Sequence, residues 1–318
     1  MTLTGIDSVL FGAESIETAR RFLSDWGLKE EECSDGCRFT TRDGTEVLVR
    51  HVQDPTLPPA MEPGPTLRKV VWGVADKAAL EALAQRLAPG GFERAGDALR
   101  VVDPNGLSHV FRVTKRRPVI ADPQDVNGPG VIRRVDRRSQ IYDRARPISI
   151  GHVVLFVDDL AASLEFFLGR LGFVVSDSYP GYAAFLRART PGNHHDAFIL
   201  QRAGRPGLNH VAFTVSNIHE VFGGGLAMSR NGWETDIGPG RHPISSAYFW
   251  YLKTPFGGSF EYYADDDFCT QAWEPREFER TSANFAEWAV AGGIDGHTRR
   301  QLRAASPSAS IPEKRNDE

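Results

Sequence analysis

Apolar and polar positions along the chain follow two rhythms in alternation. Short runs rich in β-branched and aromatic residues repeat with a period of two, as in ISIGHVVLFV from Ile148 and NHVAFTV from Asn209, and predict strands. Between them lie segments with apolar residues at helical spacing, such as IETARRFLSDWG from Ile16 and DLAASLEFFLGRLG from Asp159, where Asp159 is placed to cap the helix. The order strand, helix, three strands recurs four times, starting at IDSVLFG (Ile6), RKVVWGV (Arg68), Ile148 and Asn209. The DPNG turn at Asp103–Gly106 lines up with TPFG at Thr254–Gly257, so the chain reads as two homologous halves from a duplication. The expected fold is α+β, with two homologous domains, each of two βαβββ modules forming a curved mixed-sheet cup with helices outside. An amino-terminal domain is expected over 1–118, a Pro-, Gly- and Arg-rich linker over 119–147, and a second domain over 148–280. The remainder, 281–318, reads as a helix around SANFAEWAVAGG followed by a disordered polar tail.

Composition fits this picture: 318 residues, 41% apolar and 25% charged, suffice for two domains, each with its own core. A net charge of -4 gives neither a nucleic-acid footprint nor a polybasic membrane surface, which leaves small molecules as the expected partners. No apolar run reaches the roughly 18 residues of a membrane span and the amino terminus lacks the pattern of a secretory signal, so a cytoplasmic protein is expected. Cys33, Cys37 and Cys269 lack zinc-like spacing and are expected to be reduced thiols that bind no metal.

The chemistry concentrates at His152, His210 and Glu261, each on a strand-like run. Side chains alternate along a strand, so Val153, Leu155 and Val157 take one face and His152, Val154 and Phe156 the other. His210 shares its face with Ala212 and Thr214, opposite Val211, Phe213 and Val215, while Glu261 lies opposite Phe260 and Tyr262. Each of the three then projects into the concave side of a sheet. A lone strand histidine is more often a packing residue than a ligand, but a carboxylate within GSFEYY is costly to bury unless it is paired or holds a cation. Two histidines and one carboxylate with open coordination positions form the ligand set of non-heme Fe(II) oxygenases. His195, at the start of the last strand of its module, completes a fourfold pattern in the same cup; His194 points to the other face as a surface or structural residue.

From Gly240 to Glu261 the chain reads GRHPISSAYFWYLKTPFGGSFE. Gly240, His242, Tyr251, Thr254, Pro255, Gly257 and Glu261 fall where the signature of the type I extradiol ring-cleavage dioxygenases has them, and the carboxy-terminal half closely resembles that family of the vicinal oxygen chelate (glyoxalase/bleomycin resistance/dioxygenase) superfamily. Trp250 departs from it, standing where an aliphatic residue is usual, and is expected on the packing side. The resemblance implies Fe(II), or Mn(II), held by His152, His210 and Glu261, a catecholic substrate, O2, and ring opening next to the diol in the breakdown of aromatic compounds. It further implies that His195 is the acid-base residue, that His242 and Tyr251 hydrogen-bond the substrate oxygens, and that the chain forms a homo-oligomer. Val154 is then expected to wall the dioxygen pocket and Phe249, facing the cup with Ala247 and Tyr251, to line the substrate pocket. Phe185, Phe249 and Trp250 near the cup would admit one- or two-ring catechols, with no arginine placed to clamp a substrate carboxylate. His51, His109, His219 and His297 have no such context and read as surface or packing residues.

In the amino-terminal half the equivalent positions read as Asp7, Lys69 and Val110, which cannot hold a divalent cation, so that half is expected to be structural. Two other readings keep the fold. A non-redox, glyoxalase-like lyase or isomerase would take ligands at four symmetric positions, His195 included. A resistance-type protein would bind an aromatic ligand in the cup without metal.

Overall fold

The computed structural model describes residues 3–120 and 126–294. The first module comprises β1 (Leu3–Ala13), α1 (Ile16–Asp25), β2 (Lys29–Glu31), β3 (Cys37–Thr40) and β4 (Glu46–His51). The second has β5 (Thr66–Val74), α2 (Lys77–Leu87), β6 (Glu93–Ala95), β7 (Ala98–Val102) and β8 (Ser108–Val113). In the third, β9 (Ser149–Val157) leads to α3 (Leu160–Leu164), which runs on as a π-helix over Glu165–Leu171, and then to β10 (Val174–Tyr179), β11 (Ala183–Arg187), a short β12 (Gly192–Asn193) and β13 (Ala197–Gln201). The fourth has β14 (Gly207–Thr214), α4 (Ile218–Arg230), β15 (Thr235–Arg241), β16 (Tyr248–Lys253) and β17 (Ser259–Ala264). Beyond it come β18 (Phe268–Cys269), β19 (Arg276–Glu277), α5 (Ser282–Phe285) and β20 (Trp288–Ala291). Side chains of Ser15, Asp76, Asp159 and Asn217 cap α1 to α4 by accepting a backbone N–H three residues on, satisfying a donor that the helix start leaves open.

Two sheets carry the modules, in the orders β2-β3-β4-β1-β5-β8-β7-β6 and β19-β10-β11-β13-β9-β14-β17-β16-β15-β20. In both, the central antiparallel pair is flanked by parallel neighbours: β1 and β5 by β4 and β8, β9 and β14 by β13 and β17. Register makes the correspondence residue by residue. Lys69 pairs with Ser108 as His210 pairs with Ser259, so Lys69 stands in the place of His210 and Val110 in that of Glu261. Ser8 faces Val71 as His152 faces Ala212, so the counterpart of His152 is Ser8 and not Asp7. A register shift between Ile6 and Ser8 displaces the alternation by one residue.

The separate cores expected for the two halves are a single apolar cluster. Trp26, closing α1, stacks on Tyr262 of β17 with centroids 3.6 Å apart, and the Tyr262 hydroxyl donates to the Trp26 carbonyl at 2.8 Å. On the other side Trp72 of β5 meets Phe173 edge-on, and buried His109 packs on Phe166 and Phe167 while accepting from Trp72 Nε1 at 3.0 Å. Trp250 lies in this core as expected, donating from Nε1 to Thr235 Oγ1 at 2.9 Å. Its indole fits because α4 carries Gly225, where a Cβ would stand 2.1 Å from the ring.

The end of the chain differs from expectation. Helix is confined to Ser282–Phe285, and Trp288–Ala291 forms an edge strand paired with β15. The tail assigned to disorder, like His297, lies outside the described residues. Among the described residues, no helix is long and apolar enough to cross a membrane. Cys37 and Cys269 are buried, Cys33 is exposed, and all three are free thiols.

Candidate metal centre and substrate cup

Three adjacent strands bring His152, His210 and Glu261 together: His152 of β9 faces Ala212 of β14, and Ala212 in turn faces Glu261 of β17. All three side chains are buried, Glu261 to 1% exposure. His152 Nε2 and His210 Nε2 lie 3.1 and 3.2 Å from Glu261 Oε2 and 3.4 Å from each other. These donor atoms all fall within 4.8 Å of one another, and among the described residues no other group of histidine, cysteine or carboxylate donors converges in this way. The opposite faces pack as alternation requires, with Val153, Leu155, Val157, Val211 and Phe213 in the core.

Burial alone would raise the pKa of Glu261, but hydrogen bonding with His152 and His210 holds it well below the usual carboxylate range. Burial pushes His152 down, toward the neutral imidazole. His210 Nδ1 lies 2.7 Å from the Asn209 amide oxygen, which can accept the Nδ1 proton when Nε2 exchanges its hydrogen bond to Glu261 for a cation. A buried carboxylate with two imidazole lone pairs aimed at one point fits a divalent cation.

Around the centre stand the other expected residues. His195 lies just before β13 with its ring centroid 4.1 Å from that of His152. It is buried, and burial pushes its pKa well down. Its Nδ1 is 3.1 Å from His194 Nδ1, and His194 Nε2 is 3.0 Å from Asp177 Oδ2. His194 is thus wholly buried and structural, not at the surface. Asp177 is also held by Arg276; burial would raise its carboxyl, but His194 and Arg276 bring it below the ordinary range. His242 Nδ1 donates to the Phe285 carbonyl at 2.6 Å, so its Nε2 accepts from the Tyr251 hydroxyl at 3.0 Å. Burial lowers the His242 pKa and raises that of Tyr251 well above its ordinary value.

These groups open on a cavity of about 560 Å³, walled by Val154, Tyr179, Phe185, Phe198 and Leu200 and containing Tyr251 and His242. Phe249 does not line it. Shifts of register in β15 lay His242 flat over the Phe249 ring, centroids 4.0 Å apart, and Phe285 covers the pair. Trp250 is likewise behind the wall, in the core.

Sequence reasoning missed the segment Arg280–Phe285, which closes the far side of the cavity. It also missed a candidate cation at the mouth: the Arg280 guanidinium sits 3.9 Å above the Tyr182 ring. Little in the pattern of this polar stretch signals its docking, because its hydrogen bonds to the cup run through the carbonyls of Asn284 and Phe285, and its side-chain contacts are confined to Arg280 on Tyr182 and Phe285 on His242 and Phe249. Asp236 and Asp266 also reach the cavity. His219 stacks on Tyr142, His51 is exposed, and neither reaches it.

Residues 149–262 match the model of the Glyoxalase/Bleomycin resistance protein/Dioxygenase superfamily. Metapyrocatechase 2 of Cupriavidus necator is 34% identical over 180 residues, which are 55% of this chain and 56% of that protein. The chain spans about half the length of the curated relatives it matches. Among solved structures, the Mn(II)-bound glyoxalase from Novosphingobium aromaticivorans superposes with a TM-score of 0.72 at 22% identity, covering 91% of this chain and 92% of its own. The 2,3-dioxygenase LapB from Pseudomonas sp. KL28 does so with 0.68 at 21%, covering 87% and 99%. At these identities the two structures establish the shared fold. The stretch 149–262, which carries His152, His210 and Glu261, is thus similar to the Glyoxalase/Bleomycin resistance protein/Dioxygenase superfamily, and the chain as a whole shares its fold with LapB.

Proposed function

We propose that the protein is an Fe(II)-dependent extradiol dioxygenase that opens the ring of a catechol-type substrate beside its vicinal diol, using O2. The observation that carries this is the convergence of His152, His210 and Glu261 at the floor of an aromatic cup that also holds His195, His242 and Tyr251. The three donors would hold the metal, and Fe(II) bound there would supply Lewis acidity toward the diol and redox access to O2.

The chain's own residues supply the rest. His195, neutral at pH 7 through burial, can take a proton from the diol and return it later in the reaction. Tyr251 and His242 form a hydrogen-bonded pair beside Glu261, and a diol oxygen entering there meets both. The Phe285 carbonyl keeps the proton on His242 Nδ1, so the pair presents one polarity to the substrate. Val154 forms part of the wall, while Phe185 and Phe198, stacked on each other at 3.9 Å, give the space for the ring an apolar flank. In this reading residues 148–280 are the catalytic domain and 1–118 a structural one.

Mn(II) is the second candidate for the centre, because the same donors suit it and the N. aromaticivorans protein is described as Mn(II)-bound. A non-redox lyase with His195 as fourth ligand is less well supported, since the His195 Nδ1 engages His194 and, among the described residues, three donors converge without it. The test is oxygen uptake by anaerobically prepared protein, loaded with Fe(II) or Mn(II), against one- and two-ring catechols. Uptake with a yellow ring-opened product is expected. No uptake with the metal verified in place would overturn the proposal in favour of non-redox chemistry.

A further inference from the structure

The duplicate cup in the amino-terminal sheet is not filled in. It retains a cavity of about 350 Å³, at the lower end of the about 300–1,000 Å³ typical of small-molecule sites. Its walls include Leu10, Leu48 and Val110, and its polar groups include Lys69, Arg50 and Arg100. Register places Lys69 at the position that His210 has in the metal-binding cup, with Val110 in place of Glu261. The duplication has therefore put a lysine in place of a metal-ligand histidine and a valine in place of the carboxylate; the carboxylate that does line this cavity, Glu93, is paired with Arg100.

The three cations are not equivalent. Arg50 is 3.6 Å from Asp54 and bonds to Thr56; Arg100 is 3.3 Å from exposed Glu93 and bonds to Ser108. Among the described residues, no hydrogen bond or ion pair holds the Lys69 ammonium. Burial, and then the positive charge of Arg50, Arg112 and Arg100, push its pKa down. A half-buried, unpartnered cation is costly, and a bound anion offsets that cost.

We propose that this cup is a second ligand site, separate from the metal centre, that takes a small apolar monocarboxylate with its anionic end on Lys69 and its body against Leu10, Leu48 and Val110. The apolar walls argue against inorganic anions, and the single unpaired cation argues for one negative charge. The site involves no metal and no group of the reaction proposed above.

Calorimetric titration of the full metal-loaded chain with benzoate tests this, with benzamide as the neutral isostere and inorganic phosphate as the bare anion. Wild type and His210→Ala are expected to bind benzoate alike at one site per chain, benzamide at least tenfold more weakly. Lys69→Met should weaken benzoate at least tenfold while leaving turnover of a catechol unchanged, and Lys69→Arg should restore binding, which separates loss of charge from loss of fold. Benzoate binding unaltered in Lys69→Met, or lost in His210→Ala, would overturn the proposal. Phosphate binding as tightly as benzoate would overturn the assignment to apolar acids.

Discussion

Glu261 is the residue on which the site's electrostatics turn, because it alone supplies negative charge among the converging donors. Glu261→Gln keeps the volume and removes that charge; retained metal after dialysis, measured by plasma mass spectrometry, should fall at least tenfold, and undiminished metal would remove Glu261 from the centre. His195 stands beside the donors without joining them, so His195→Asn should keep its metal and lose roughly 100-fold in turnover. Asp266, on the cavity wall, has its carboxyl pushed up to about 7, chiefly by burial, with Asp196 and Asp267 adding to the rise. The folded state therefore binds the proton more tightly than the unfolded chain, and this carboxyl costs stability progressively as pH rises from about 4 to about 7. Asp266→Asn removes the cost. Its melting temperature relative to wild type should climb between pH 5 and pH 8, and a difference flat across that range would count against the buried, protonated carboxyl.

Strands made the site legible, since period-two alternation fixes which side chains share a face, and His152, His210 and Glu261 could be assigned to the concave side from their neighbours alone. The same rule failed where backbones slip. The shift before Ser8 moved the amino-terminal equivalence off Asp7, and those in β15 folded His242 over Phe249 and took the phenyl ring out of the cavity. Neither shift leaves a mark in hydropathy. The Arg280–Phe285 wall was illegible for another reason: its hydrogen bonds to the cup come from the carbonyls of Asn284 and Phe285, and every residue has one, while its one aromatic ring lies in an otherwise polar stretch. At the level of α4 the sequence does carry a signal that makes sense beside Trp250, for Gly225 clears the space that the indole fills, while Gly223 and Gly224 admit Tyr142 and Tyr262. Gly225→Ala would gain helix propensity of up to about 1 kcal/mol, yet overpacking against the ring costs about 1–3 kcal/mol. Net destabilisation in urea unfolding is expected, relieved when Trp250→Leu is added; a stabilised single variant would show that the helix can simply shift.

At the scale of the whole molecule, the two halves share one apolar core, because Trp26 at the end of α1 packs on β14 and β17 while Phe166 and Phe167 of the π-helix pack on His109 of β8. Trp26 belongs to the amino-terminal half, yet it stacks on Tyr262, the next residue after Glu261, and also meets Phe213 and Phe260. The amino-terminal half lacks the donor triad but shapes the strand that carries its carboxylate. Trp26→Ala opens a cavity at this seam and should cost about 3–5 kcal/mol, the range for large aromatic truncations in cores. Because the lost ring backs β17, metal affinity should fall with stability, although Trp26 touches no ligand. Denaturant unfolding followed by intrinsic fluorescence and by metal release should give coincident single transitions in the wild type. If Trp26→Ala instead loses stability while metal release keeps its wild-type midpoint, the halves unfold independently and the shared core does not couple them.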